Sequence, residues 1–173
     1  MANDIRDHVR RLETRQVLAL CQRLQTDRRL RDRWSAFFAE GVRNLLRALD
    51  HGWCIDAILF SDRLLTSGIG RSKVRSLRRA GVTTFKLTPE QFRAVSRARK
   101  ASGVAAIVRQ RNFGLKQIDP SGACLLAADS IESAGNLGTL LRTSAAAGGV
   151  GLIMLGPSID PYCPTLVGSP MGT

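Results

Sequence analysis

The chain has 173 residues, 44% of them apolar, and a formal net charge of +12. That length carries one ordinary domain or two small ones with a real core, in a composition typical of globular proteins. No run of about eighteen apolar residues is present, and the opening "MANDIRDHVRRLETRQ" mixes acids and bases without an apolar stretch. Neither a membrane span nor a secretory leader is therefore expected, and the expected location is the cytoplasm.

In chain order, "VRRLETRQVLALCQRLQTDRRLRDR" predicts a helix with an apolar stripe at Leu12, Val17, Leu20 and Leu24. "AFFAEG" predicts a strand stopped at Gly41. "VRNLLRALDHG" follows as a helix ending at Gly52, then "CIDAILFS" as a buried strand. "RSKVRSLRRAG" predicts a basic helix closed by Gly81, and "VTTFKL" the next strand. "TPEQFRAVS" opens with Thr88 as N-cap, Pro89 in the first turn and Gln91 at the capping-box position. "GVAAIVRQ" is a last strand. This alternation over about residues 30–110 predicts a small α/β sandwich. "RNFGLKQIDPSG" breaks the pattern with glycines and Pro120, and a domain boundary is expected there. Beyond it, the continuous apolar run "ACLLAAD" predicts a parallel strand covered on both faces. A helix from about Leu137 to Gly148 and the strand "VGLIML" complete a βαβ unit, followed by the broken tail "GPSIDPYCPTLVGSPMGT".

Charge changes at the same boundary. Residues 1–119 hold 25 Lys and Arg against 11 Asp and Glu, a net +14, whereas residues 120–173 carry a net −2. Most of the basic residues are arginine, whose forked guanidinium suits phosphate. Three clusters stand out: Arg71, Arg75 and Arg78 at i, i+4, i+7 of a helix; Arg97, Arg99 and Lys100 before the last strand of the first half; and Arg28, Arg29, Arg31 and Arg33. One such cluster reads equally as a solvated face, but three with this excess point to RNA contact. Aromatic residues are few, so phosphate and shape contacts should outweigh base stacking, with Trp34, Trp53 and Phe92 in the core. Cys21, Cys54, Cys124 and Cys163 show no CxxC and no pairing with His8 or His51 at metal spacing, so neither a metal site nor a disulfide framework is expected.

"DSIESAGNLGTLLRTSAAAGG" has the layout of a ligand-binding turn, strand then glycines then helix, at the carboxyl end of a parallel strand. It contains neither GxGxxG nor GxxxxGK[ST], so a dinucleotide or P-loop reading fails. Leu137, Leu140, Leu141, Ser144, Ala145 and Gly148 form the expected buried stripe. Asn136 is placed as N-cap, and Arg142 lies off the stripe between the small residues Gly138 and Ala146. By residue physics alone, Asn136 reads equally as a simple cap, and Arg142 more readily as a solvated helix residue than as a catalytic one.

"GNLGTLLRT", with a strand ending in Asp before it and "AAAGGVGLIML" after it, resembles the first signature of the SpoU/TrmH family of SPOUT-class RNA ribose methyltransferases. The basic half, from "FFAEGVRNLLRAL" to "SGVAAIVRQ", resembles the ribosomal-protein-like RNA-binding domain that precedes the catalytic domain in many members. The resemblance runs from about residue 30 to the end. It implies an α/β protein: an N-terminal helical segment at 1–30, an RNA-binding α/β sandwich at 31–112, a linker at 113–121, and at 122–173 the first part of a parallel-sheet SPOUT (trefoil-knot) domain. It further implies methyl transfer from S-adenosylmethionine to a ribose 2′-hydroxyl, with rRNA as the expected partner and a homodimer as the expected complete protein. Asn136 and Arg142 match the motif residues near the target ribose, and Arg71, Arg75, Arg78, Arg97, Arg99 and Lys100 are the candidate RNA contacts; no residue is assigned to the cofactor.

A guanidinium is too weak an acid to act as a base, so Arg142 is expected to stabilise charge on the hydroxyl and orient it. A 2′-hydroxyl target specifies RNA over DNA. Two departures from the family pattern stand out: Pro170 intrudes between Ser169 and Met171, and Gly168 stands where a basic residue is expected. The motifs that thread the knot and form the cofactor pocket are not found in these residues. The chain is therefore expected to be incomplete, to bind the cofactor poorly and to leave an apolar edge uncovered. A non-catalytic RNA-binding module is the alternative.

Overall fold

The computed structural model describes residues 4–111, 114, 117 and 124–168, which form two compact units divided between Gln110 and Arg111. Most of the 113–121 segment, and Ser169 and Pro170 with it, lie outside the described residues.

The first unit runs α1 (Ile5–Arg10), α2 (Thr14–Thr26), α3 (Arg28–Trp34), β1 (Ala36–Glu40), α4 (Val42–Asp50), β2 (Ile55–Phe60), α5 (Gly68–Arg79), β3 (Thr83–Lys86), α6 (Pro89–Val95) and β4 (Val104–Arg109). The single opening helix expected from the apolar stripe is three helices. Local caps divide it: Glu13 and Gln16 form a reciprocal capping box at the start of α2, and the Asp27 carboxylate accepts from Leu30 N at 3.1 Å to start α3. Each cap satisfies backbone donors that a continuous helix would have paired internally, so the break costs little. The capping box of α6 forms as the sequence indicates, with Thr88 Oγ1 accepting from Gln91 N and Gln91 Oε1 from Thr88 N.

The four strands make a mixed sheet in the order β1-β4-β2-β3, with β4 antiparallel to both β1 and β2, and β2 parallel to β3. Alternation along the strands sends Ala36, Phe38, Ala57, Leu59, Ala105 and Ile107 to one face. There they pack with Ile5 and Val9 of α1, Val17, Cys21 and Leu24 of α2, and Phe92 and Val95 of α6. Phe92 is fully buried, a burial that contributes about 2–3 kcal/mol. Trp34 and Trp53 are only half-buried, Trp34 stacked on the exposed His8 and Trp53 edge-on to Phe37. Burial pushes the Cys21 thiol far above its usual range, which keeps it inert. A register shift between Ile55 and Ala57 brackets Asp56, whose side chain is fully buried. Its carboxylate takes Arg109 Nη2 at 2.8 Å and Arg6 Nε at 3.4 Å, and Arg109 also reaches Asp4 at 2.6 Å, which ties α1 to β2 and β4.

The second unit contains β5 (Cys124–Asp129), α7 (Ala134–Ala146), β6 (Gly149–Leu155) and α8 (Pro164–Gly168), with β5 and β6 parallel. Among its described residues β5 is not covered on both faces: Ala128 is buried, Leu125 and Leu126 are half-buried, and Ala127 is exposed. The stripe on α7 is likewise shorter than its sequence suggests. Leu137 is fully buried, but Ala145 and Gly148 are exposed. No helix among the described residues is long and apolar enough to cross a membrane.

Candidate functional site

In the second unit Asp129 and the first turn of α7, which carries Asn136, follow the end of β5, whereas Arg142 lies in the third turn of that helix. Asp129 closes β5, and Ser130 turns the chain with a left-handed φ of 53°. Ser130 N donates to Leu155 O at 3.0 Å, and its hydroxyl donates to Asp129 Oδ1 at 3.0 Å. Gly156, at φ 64°, faces this pair: a Cβ there would lie 2.6 Å from Asp129 Oδ1 and 2.7 Å from Ser130 Oγ. The left-handed φ favours glycine there, and a side chain would also displace the Asp129 and Ser130 side chains. Asp129 itself stays exposed.

Helix α7 starts three residues earlier than the sequence suggests, and its N-cap is Ser133 rather than Asn136. The Ser133 hydroxyl accepts from Asn136 N at 3.4 Å. Serine and asparagine cap about equally well, and the helix begins at the earlier of the two, with Leu137 and Gly138 buried inside it. The Asn136 side chain is thereby released from capping and is exposed on the first turn. Arg142 is half-buried; its Nη2 donates to Thr139 Oγ1 at 3.0 Å, and that hydroxyl donates to Gly135 O at 3.0 Å. Along the helix Asn136 and Arg142 are separated by about 9 Å and by about 120° of rotation. The helix alone does not aim them at one point.

In the first unit the three arginine clusters have different fates. Arg31 is buried, with Nη1 donating to Leu24 O at 2.6 Å; Arg28 pairs with Asp32, and Arg33 lies over the Trp34 ring. That cluster is largely structural. On α5, Arg71 reaches back to the preceding connection, its Nε donating to Leu65 O at 2.6 Å and Nη2 to Asp62 O at 3.3 Å. Arg75 and Arg78 are exposed and form no ion pair among the described residues. Arg97, Arg99 and Lys100 are exposed on the 96–102 connection.

Glu40, at the end of β1, fixes that connection at both ends. Its carboxylate accepts from Ser96 Oγ at 2.7 Å, Arg97 N at 3.3 Å and Ser102 N at 3.2 Å. Gly103, at φ 77°, brings the same connection against the 61–67 segment, and Ser61 N donates to Gly103 O at 2.9 Å. Between the two segments lies an open groove of about 680 Å³, with Arg63, Arg93, Arg99 and Lys100 on its walls and no acidic residue among those that line it. Sequence reasoning missed Glu40, Arg63 and Arg93, which are far apart in the chain. The isolated Gly103 just before an apolar strand was the available signal of a close backbone approach.

Residues 20–106 match the family model of the MRM3-like substrate-binding domain. The chain is 29% identical over 154 residues to a 23S rRNA (uridine(2479)-2′-O)-methyltransferase of Streptomyces viridochromogenes, an alignment covering 88% of this chain and 53% of that protein. Among solved structures it is similar to the SpoU methyltransferase AviRb of Streptomyces viridochromogenes in complex with AdoMet, with a TM-score of 0.77 at 27% identity, over 90% of this chain and 57% of that one. It is also similar to an AdoMet-bound rRNA methyltransferase of Sinorhizobium meliloti, with a TM-score of 0.78 at 28% identity, over 93% of this chain and 59% of the other. The chain thus spans little more than half the length of these relatives.

Proposed function

The chain belongs to the SpoU family of RNA methyltransferases and carries the MRM3-like substrate-binding domain, and from that premise we propose that the intact protein transfers a methyl group from S-adenosylmethionine to a ribose 2′-hydroxyl of rRNA. In this reading residues 31–112 are an RNA-holding α/β sandwich, 113–121 a linker, and 122–173 the opening part of a trefoil-knot catalytic domain, with the cofactor-binding knot outside these 173 residues. This chain by itself is then inactive, and the intact protein works as a homodimer in the cytoplasm. The observation that supports it most is the pairing of a basic substrate-binding domain with "GNLGTLLRT" on a helix that follows the carboxyl end of a parallel strand.

The chemistry suits the residues present. A ribose hydroxyl is a poor nucleophile near neutral pH, so transfer requires its proton to be loosened and its oxygen held in line. The Arg142 guanidinium, steadied by Thr139, supplies positive charge that favours the alkoxide-like oxygen. Asn136, free of capping, offers an amide donor and acceptor on the first turn to orient the sugar. S-adenosylmethionine would supply the electrophilic methyl, held by the knot, and no residue of this chain is assigned to it. The test is incubation of the intact protein with methyl-labelled S-adenosylmethionine and rRNA, followed by digestion to nucleosides. Label on a ribose 2′-oxygen is expected; label on a base, or none, overturns the reading.

The strongly basic first half favours a second reading, a non-catalytic module that holds RNA. Calorimetry of the intact protein with S-adenosylmethionine separates the two, since measurable binding excludes the module and its absence excludes the methyltransferase.

A further inference from the structure

We propose that the groove between the 61–67 and 96–102 segments is a phosphodiester-binding site for the RNA backbone, with Arg63 and Arg93 as contacts alongside Arg99 and Lys100. The inference rests on the RNA reading above and adds where on the first unit the strand is held.

Three observations carry it. First, four cations converge on one concavity from three separate segments, and no acid is among the residues that line it. One acid lies close by: Glu90 is 3.7 Å from Arg93 and is also within the field of Arg63, so it offsets part of that charge and leaves the groove with a cationic excess. Asp62 holds Lys86 at 2.7 Å, and Glu40 is taken by the connection it anchors. Second, the walls are built rather than loose. Glu40 fastens both ends of the 96–102 segment, Arg71 holds the 61–67 segment through the carbonyls of Asp62 and Leu65, and the bare Cα of Gly103 lets the two meet. A preformed wall spares the binding partner the cost of ordering it. Third, the chemistry of the lining is that of a phosphate site. Three guanidiniums and an ammonium meet charged oxygens, while Leu64, Ala98 and Ala101 give an apolar floor for a sugar. Arg71 then serves as a brace of the wall rather than as a contact, and Arg75 and Arg78, farther along α5, belong to the general positive field.

Fluorescence anisotropy of the 173-residue chain with a short labelled single-stranded RNA, titrated between about 50 and 200 mM salt, tests this. Removing one cation that neutralises a phosphate should lower the slope of log affinity against log salt by about 0.7. Arg63→Ala combined with Arg93→Ala is expected to lower it by about 1.4. Arg75→Ala with Arg78→Ala removes the same charge and should change the slope by less than half as much. Glu40→Gln is the sharper probe, because it makes the protein more positive yet loosens the anchored segment. Weaker RNA binding, measured well below the variant's thermal unfolding midpoint, supports the groove; unchanged or tighter binding overturns it. Equal slopes for the two double variants also overturn it while leaving RNA binding itself intact. Polyglutamate competing as well as RNA at equal charge would replace the phosphodiester with an acidic peptide. A parent chain that binds no RNA at all sinks both this inference and the functional reading beneath it.

Discussion

Replacing Gly103 by alanine should destabilise the first unit by far more than the same change at another glycine of similar backbone conformation. Gly103 has φ 77°, where an L-residue costs about 1–2 kcal/mol. A Cβ added there would also lie 2.2 Å from Leu65 N and 2.4 Å from Leu64 C. Those are backbone atoms and cannot rotate away, so the 61–67 segment must shift against the Ser61–Gly103 hydrogen bond that holds it. Overpacking of this kind adds about 1–3 kcal/mol, for a total of about 2–5 kcal/mol with the conformational cost. Gly81 is the control: its φ is 82°, but an added Cβ there meets nothing within 4 Å, so only the conformational cost of about 1–2 kcal/mol applies. Urea unfolding followed by tryptophan fluorescence reads the right unit, because both tryptophans, Trp34 and Trp53, lie in it. The expected result is two lowered midpoints, with Gly103→Ala the lower by about 1–3 kcal/mol. Equal losses would refute the close approach that closes one wall of the groove.

In the intact protein, Arg142→Ala is expected to keep RNA affinity and lose methyl transfer; unchanged turnover in a methyl-incorporation assay removes the role given to this residue. Because Ser133 caps α7, Ser133→Ala should lower stability by about 1 kcal/mol, whereas Asn136→Ala should change it by less than about 0.5 kcal/mol while abolishing transfer. Denaturant titrations of the two variants distinguish cap from site. Asp56→Ala leaves the Arg109 and Arg6 guanidiniums without their buried partner. With Arg109 about one third exposed, the expected loss is about 2–3 kcal/mol, read as a lowered urea midpoint. The backbone N–H of Arg6, and then the Arg109 and Arg6 guanidiniums, hold the Asp4 carboxyl below the usual carboxylate range. Its stabilising effect is therefore complete above about pH 4 and is lost as pH falls through the lowered folded value. Asp4→Asn should flatten the acid limb of the midpoint-against-pH curve, and an unchanged limb would contradict that.

The strands, most of the helices and their order were legible in the sequence because they follow from short-range patterns, whereas α8 lies in the tail expected to be broken by proline and glycine. Apolar runs marked every strand, and Thr88, Pro89 and Gln91 marked the start of α6 through hydrogen bonds spanning three residues. The motif on α7 and the charge step near residue 119 were equally local. Two local readings failed because neighbouring signals competed: Ser133 against Asn136 for one cap, and the apolar stripe of the first helix against the caps at Glu13 and Asp27. In each case a cap hydrogen bond marks the observed boundary: Ser133 Oγ accepts from Asn136 N, and the Asp27 carboxylate from Leu30 N.

The groove was decided only by the tertiary structure. Glu40 and Ser102 are neighbours because β1 pairs with β4, and Arg63 and Arg99 line one groove because β4 lies beside β2; the strand order β1-β4-β2-β3 sets both adjacencies. Buried Asp56 finds Arg109 by the same pairing of β2 with β4. Residue patterns encode which segments become strands and which faces are apolar. Which edges meet depends on burying all those faces together, a property of the assembled sheet and not of any one stretch of chain.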